Sequence, residues 1–302
     1  MMCNMRRFGM FGRLALLVVC AGLLVSCALP GDAAAVVKIG LIAPFEGLGR
    51  PLGYAVLPAV KAAIAEANAS GELGPYRVAL VALNDDLDPQ TAATQARILA
   101  QDDAVLAVIG PWSAATAASA GATLSQAGLP TIVVAALEQP AAGVRSLCPA
   151  ATELPSVVSA SFSADPLRQV RFHPGDAASA ADELLRLAAA GWQGTLIGGP
   201  DVARPWFIGR AGRAAEGTRA IVCRVEGTRP EGAAPGEHDV TPALAASLAS
   251  AAARAVLGAA AQEIAGRGRP TRAGIAARLS AQPLAVGWDW VQVENGRWRW
   301  PR

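Results

Sequence analysis

Histidine and lysine are almost missing from this chain: its 302 residues hold two histidines, and lysine stands only at Lys38 and Lys61. His173 and His238 fall on separate loops with no partner spacing, so no metal cluster is expected and each reads as a surface residue. There is no G-x-S-x-G elbow and no Walker loop. Ser113 follows Pro111-Trp112 and has no histidine placed to activate it, which argues against a serine hydrolase. Charged residues make up 17% and the net charge is +2, so the concentrated basic face of a nucleic-acid binder is absent. The preference for Arg over Lys reads as genomic base composition. What the chain has is apolar mass: 53% hydrophobic residues over a length that suits one large domain or two lobes.

The first residues carry a separate message. Arg6, Arg7 and Arg13 precede an apolar run, Leu14 to Val25, shorter than the ~20 residues that span a bilayer. This is the pattern of a secretory signal peptide over 1–26. The run ends Leu24-Val25-Ser26-Cys27, similar to a bacterial lipobox, which would make Cys27 a lipidated N-terminus on a tether over 27–35. An uncleaved anchor, or a plain signal cut near Ala33-Ala34-Ala35, are the other readings. On each of these readings the folded part is exported. Cys3 and Cys20 leave with the signal. Cys148 and Cys223 remain, and in an oxidising compartment they could pair or stay as two buried or free thiols.

From Val36 the chain alternates between strand and helix. Strands are predicted at 36–43, 77–83, 104–109 and 129–135, with helices at 53–68, 89–101 and 113–127 between and after them. Val56, Val60 and Ile64 recur at helical spacing. Asp88 reads as an N-cap with Pro89 at the first helical position. Residues 36–137 thus form a first α/β lobe with a parallel sheet. Residues 138–166 are weakly patterned and Pro-rich, a crossover. A second, reduced α/β lobe follows over 167–240, with strands at 167–172, 194–197 and 219–225, helices at 176–190 and 205–215, and a loop at 227–238. Helices at 241–264, capped by Thr241, and 271–280 return to the first lobe within 241–283. Residues 284–302 read as a hairpin turning at Asn295-Gly296. Its Trp and Val residues share one face, a packing pattern.

Two strand ends could carry chemistry. Gly47, Gly49 and Gly53 approximate the dinucleotide fingerprint, with Asp85 ending the next strand. The third glycine is one residue late and Pro51 interrupts the turn, so no cofactor is expected. Asp85 and Asp86 read as a solvated or capping pair. The other end, Gly110-Pro111-Trp112-Ser113, joins a buried strand to a helix, whose N-terminal N–H groups favour an anion.

The runs "VKIGLIAPFEGLGRPLG", "AVKAAIAEANASGELG", "LNDDLDPQTAATQARIL", "AVLAVIGPWSA" and "AGLPTIV" resemble, in order and spacing, the type 1 periplasmic binding proteins. The specific resemblance is to the leucine/isoleucine/valine-binding family, the substrate-binding components of branched-chain amino acid ABC transporters. "DAASAADELLRLAAAGWQGTLIGGPDVARPWFIGRAGRAAEG" and "SLASAAARAVLGAAAQEIAGRGRPTRAGIAARL" resemble its later segments. The resemblance implies two α/β lobes closing on an amino acid or a more apolar carboxylate. It implies a permease and an ATPase as partners, an extracytoplasmic location at the membrane, and no enzymatic activity. By the same resemblance, Ser113 keeps the first of two serines that take the ligand carboxylate, and Ala114 replaces the second. Trp112 stands beside them. Ala136 and Leu137 stand where Ser, Ala or Thr line the cleft, and Leu52 stands where an aromatic closes it. Asp201, after Gly198-Gly199-Pro200, stands for the acid that receives the ligand ammonium. These replacements make the cleft more apolar, and three readings follow: a ligand less polar than an amino acid, a ligand held by backbone N–H groups near Ser113 alone, or binding that has decayed. A degenerate sensor or interaction module, and more remotely a Rossmann-type oxidoreductase, are the alternative readings.

Overall fold

In a computed structural model, described for residues 34–162, 169–226, 239–284 and 286–301, the core is built on two five-stranded sheets. The signal peptide, Cys27, His238 and the 227–238 loop lie outside the described residues.

The first sheet has the order β2-β1-β3-β4-β5. Its strands are β1 (Ala35–Ala43), β2 (Tyr76–Asn84), β3 (Val105–Ile109), β4 (Thr131–Val133) and β5 (Val144–Ser146). The pairs β1–β3, β3–β4 and β4–β5 are parallel. Both faces of β1 are covered, which explains its continuous apolar run. Ile39, Leu41 and Ala43 join the core shared with helices α1 (Arg50–Ser70) and α7 (Thr241–Arg267). Ile42 joins a second core with α2 (Pro89–Gln101) and α3 (Ala114–Gln126), through Ala96, Leu99, Ala120 and Leu124. Alanines along α7 let its backbone lie close against α1. Helix α8 (Arg272–Ala281) docks by hydrogen bonds: Arg272 donates to the carbonyls of Val105 and Asp102 at 2.8 and 2.7 Å.

The second sheet has the order β10-β9-β8-β7-β6. Its parallel part is β6 (Val170–His173), β7 (Thr195–Gly198) and β8 (Arg219–Val225), with helices α5 (Ala177–Ala189) and α6 (Pro205–Ala211). The C-terminal hairpin is not a separate appendage. Strand β9 (Val286–Glu294) pairs antiparallel along the whole of β8, and β10 (Arg297–Arg299) follows it. Trp298 sits opposite Val293 and is fully buried, with its ring 5.5 Å from Phe207. Asn295 and Gly296 take the two positive φ values of the turn.

The crossover is more ordered than its sequence suggests. It holds β5 and a helix, α4 (Leu154–Phe162). Arg145 on β5 is partly buried and donates to the carbonyls of Leu279 and Gln282, closing the end of α8. Cys148 and Cys223 form a disulfide, which ties the segment after β5 to β8 of the other sheet. The cap of α7 also differs from expectation. Thr241 lies inside the helix, and Asp239 accepts both its N–H and its hydroxyl at 2.8 and 2.6 Å.

Candidate ligand-binding site

Strand order reverses at β1, which has β2 on one side and β3 on the other. The crevice beyond the carboxyl ends of such strands is the natural ligand position. After β3 the chain turns through Gly110 at φ +89°, where a Cβ would lie 2.1 Å from the Ile42 carbonyl oxygen, so only glycine fits. Ser113 then caps α3. Its Oγ accepts the Thr116 N–H at 3.2 Å and meets the Thr116 hydroxyl at 2.8 Å.

The next N–H is already taken. Ala114 donates to Asp201 Oδ2 at 2.9 Å, from the turn after β7 in the second lobe. Asp201 Oδ1 accepts from Arg204 Nη2 at 3.0 Å, and the same Nη2 donates to the Trp112 carbonyl at 2.7 Å. A carboxylate and a guanidinium from one lobe thus satisfy an N–H and a carbonyl of the other, with charge-assisted bonds. Arg204 is held in turn by Trp298, whose indole N–H donates to its carbonyl at 3.0 Å.

Two cavities flank this contact. The larger, about 810 Å³, lies between α3, residues 136–139, the start of α4 and the turns after β6 and β7. Its walls are mostly apolar, with Leu137, Leu154 and Phe172 among them, and its charged lining residues are Glu138 and Asp201. The smaller, about 460 Å³, is bordered by Leu48, Asp86, Ser113, Asp176, Asp201 and Arg204, among others. Among the described residues, no group of three or more His, Cys, Asp or Glu is placed to hold a metal ion.

Residues 36–162 match the family model described as "Periplasmic binding protein". A leucine-binding protein from Thermotoga maritima superposes with a TM-score of 0.67 at 17% identity, over 88% of this chain and 98% of that one. The chain has the type 1 periplasmic-binding-protein fold. A branched-chain amino acid transporter substrate-binding protein from Streptococcus pneumoniae, solved with isoleucine, gives 0.63 at 15% identity, over 87% and 97% of the two chains. A possible leucine/isoleucine/valine-binding protein from Rhodopirellula baltica gives 0.68 at 15% identity, over 90% and 97%. No curated protein matches the chain by sequence.

On this periplasmic-binding fold the expected site residues divide. Ala114, Ala136, Leu137 and Asp201 line the larger cavity together. Ser113 borders the smaller one, but its hydroxyl is committed to the helix cap. Leu52 and Trp112 line neither: they are 4% and 0% exposed and belong to the core. The reason for Leu52 is local. A 3-10 turn at Gly47–Gly49 leads straight into α1 at Arg50, which points Leu52 inward and leaves Leu48, 69% exposed, at the cleft. Asp201 is not free to receive an ammonium as a sole partner, because Arg204 and the Ala114 N–H already hold it.

The glycines of the fingerprint-like run serve packing. A Cβ on Gly53 would lie 2.1 Å from the Pro44 carbonyl oxygen, so this glycine lets α1 rest against the end of β1. Asp85 is also not solvated. It is fully buried, with Oδ1 accepting the Leu87 N–H at 3.2 Å and Oδ2 lacking a partner among the described residues. Burial pushes its carboxyl up to about 6, against the hydrogen bonds that hold it down.

His173 is no surface histidine. Its Nδ1 meets Glu183 and its Nε2 meets Ser179 Oγ at 2.9 Å. Burial raises the Glu183 carboxyl, but the bonds from His173 and Arg171 outweigh it and leave it below the usual range. The trio has the order of a nucleophile relay, yet the N–H groups of Ala178 and Ser179 both donate to Asp176. They are therefore spent on the helix cap and cannot hold an oxyanion. The trio ties β6 to α5. Arg204, Glu138 and Leu48 were missed by sequence reasoning; for Arg204 the one available signal was its spacing three residues after Asp201.

Proposed function

We propose that this chain is an exported solute receptor of an ABC importer, holding a small, largely apolar molecule between its two lobes. It is not an enzyme. A signal peptide over 1–26 and a lipid on Cys27 would keep it at the outer face of the membrane, beside a permease and an ATPase. One observation carries the reading: a cavity of about 810 Å³ opens between the lobes of a binding-protein fold, with walls from both. Its size suits a drug-sized or smaller ligand. Titration calorimetry and thermal melting against a panel of amino acids, amides, amines and aromatic acids test it. Heat and a raised melting temperature with a compound that fits the cavity are expected, and silence across the panel would sink the receptor reading.

A second reading has its own support. The disulfide Cys148–Cys223 and the Asp201–Ala114 contact both join the lobes, which suits a sensor or interaction module that does not open and close. Small-angle scattering separates the two. A receptor of the hinge type changes its dimensions on binding, and a fixed module does not.

A further inference from the structure

We infer that Asp201 is a resident carboxylate that occupies the ligand-carboxylate position, so the cleft selects apolar molecules without a carboxylate and prefers those with a cationic amine. The inference rests on the receptor reading and names its ligand class. The first N–H groups of a helix have no partner within the helix and attract anions. At α3 the first of these is filled from within the chain: Ala114 N–H donates to Asp201 Oδ2 at 2.9 Å. The Ser113 hydroxyl is turned back to Thr116. Arg204, which lines the smaller cavity, spends its Nη2 on Asp201 and on the Trp112 carbonyl. An incoming carboxylate meets no open N–H at Ala114 and no unpaired guanidinium edge at Nη2.

The surrounding charge has the same sign. Around the larger cavity, Glu138 and Asp201 face no basic residue among the described lining. Around the smaller one, Asp86, Asp176 and Asp201 face Arg204 as the one basic residue among the described lining. Asp201 borders both cavities with its charge shared with Arg204, so the excess negative charge comes from Glu138 on one side and from Asp86 and Asp176 on the other; a carboxylate approaches it against repulsion and an ammonium with attraction. The apolar walls at Leu137, Leu154 and Phe172 take the body of the molecule.

Four probes share a branched apolar body: isovalerate, isovaleramide, isoamylamine and L-leucine. Binding to the full mature chain is measured by calorimetry, alongside amide hydrogen exchange at Ala114. Isoamylamine is expected to bind at least tenfold more tightly than isovalerate, with L-leucine also weak. In Asp201→Ala the order reverses, because the Ala114 N–H and Arg204 are released, and Ala114 exchanges at least tenfold faster. Asp201→Asn keeps an acceptor for that N–H, so its protection stays while the preference for the amine is lost. Wild type that binds isovalerate as tightly as isoamylamine overturns the inference and leaves the receptor reading standing. Unchanged Ala114 exchange in Asp201→Ala overturns it as well. No binding of any probe to any of the three proteins overturns the inference and leaves the receptor reading to the wider panel.

Discussion

Cys148 and Cys223, 75 residues apart, are joined by a disulfide that crosses from the edge of the first sheet to β8 of the second. Both are nearly fully buried, at 5% and 3% exposure. A cross-link that closes so long a loop restricts the unfolded chain strongly, which is worth about 2–4 kcal/mol. The double variant Cys148→Ala/Cys223→Ala is therefore expected to unfold at clearly lower urea, by a loss of that order. An unchanged midpoint would show that the bond contributes nothing to stability. Burial also predicts that reductant alone, without denaturant, leaves the native bond largely intact.

Two helical glycines predict opposite outcomes for the same substitution. At Gly53 a Cβ would stand 2.1 Å from the Pro44 carbonyl oxygen and 2.8 Å from the Phe45 ring. The oxygen is backbone and cannot swing away, so α1 must shift, at a cost of about 1–3 kcal/mol. At Gly258, inside α7, no atom of the described residues beyond its chain neighbours and its own helical turn lies within 4 Å of the added Cβ. There alanine removes only unfolded-state freedom and is expected to stabilise by about 0.5–1 kcal/mol. Thermal melts of Gly53→Ala and Gly258→Ala, run side by side, should move in opposite directions. Equal shifts would contradict the close approach of α1 to the end of β1.

The parts of this fold that were legible in the sequence are those with local causes. Val56, Val60 and Ile64 mark the buried face of α1, and Asp88-Pro89 and Ser113 mark helix starts because caps act within one turn. β5 and α4 were not legible. A three-residue strand carries no periodicity, and α4 begins Leu154-Pro155 inside a Pro-rich stretch. The pairing of β9 with β8 is long-range, so the tail could be read as a hairpin but not as an extension of a sheet. The site shows the same boundary. The strand–turn–helix pattern at Gly110–Ser113 marked the start of α3. The residue that accepts the Ala114 N–H there, Asp201, lies 87 residues away, and nothing near either residue announces the contact. His173, Ser179 and Glu183 come together because a strand end and a helix face meet, which single-sequence spacing does not encode.

Asp85 makes the pH dependence of this protein unusual in sign. Its carboxyl, fully buried at the end of β2, is pushed up to about 6 from an ordinary 3.8. Burial is the main cause, the N–H of Leu87 opposes it, and Asp86 and Asp88 add repulsion. The folded state therefore holds this proton more tightly than the unfolded chain. Below about pH 4 both states are protonated and no penalty exists. As pH rises from about 4 to 6, unfolding releases the proton while the folded state keeps it, so stability falls; above that the penalty is constant at about 3 kcal/mol. Asp88, Asp102 and Glu183, whose carboxyls are held below the usual range, act in the other direction and lose their contribution as pH falls below about 4. The two effects thus occupy different windows. Asp85→Asn keeps an oxygen for the Leu87 N–H at this site and cannot ionise. The variant is expected to match the wild type near pH 4 and to exceed it by about 1–3 kcal/mol at pH 7. Urea unfolding at pH 4, 5, 6 and 7 reads this directly. A variant that is weaker at pH 7 than at pH 4, relative to wild type, would mean that the ionised Asp85 has a partner after all and stabilises the turn before α2.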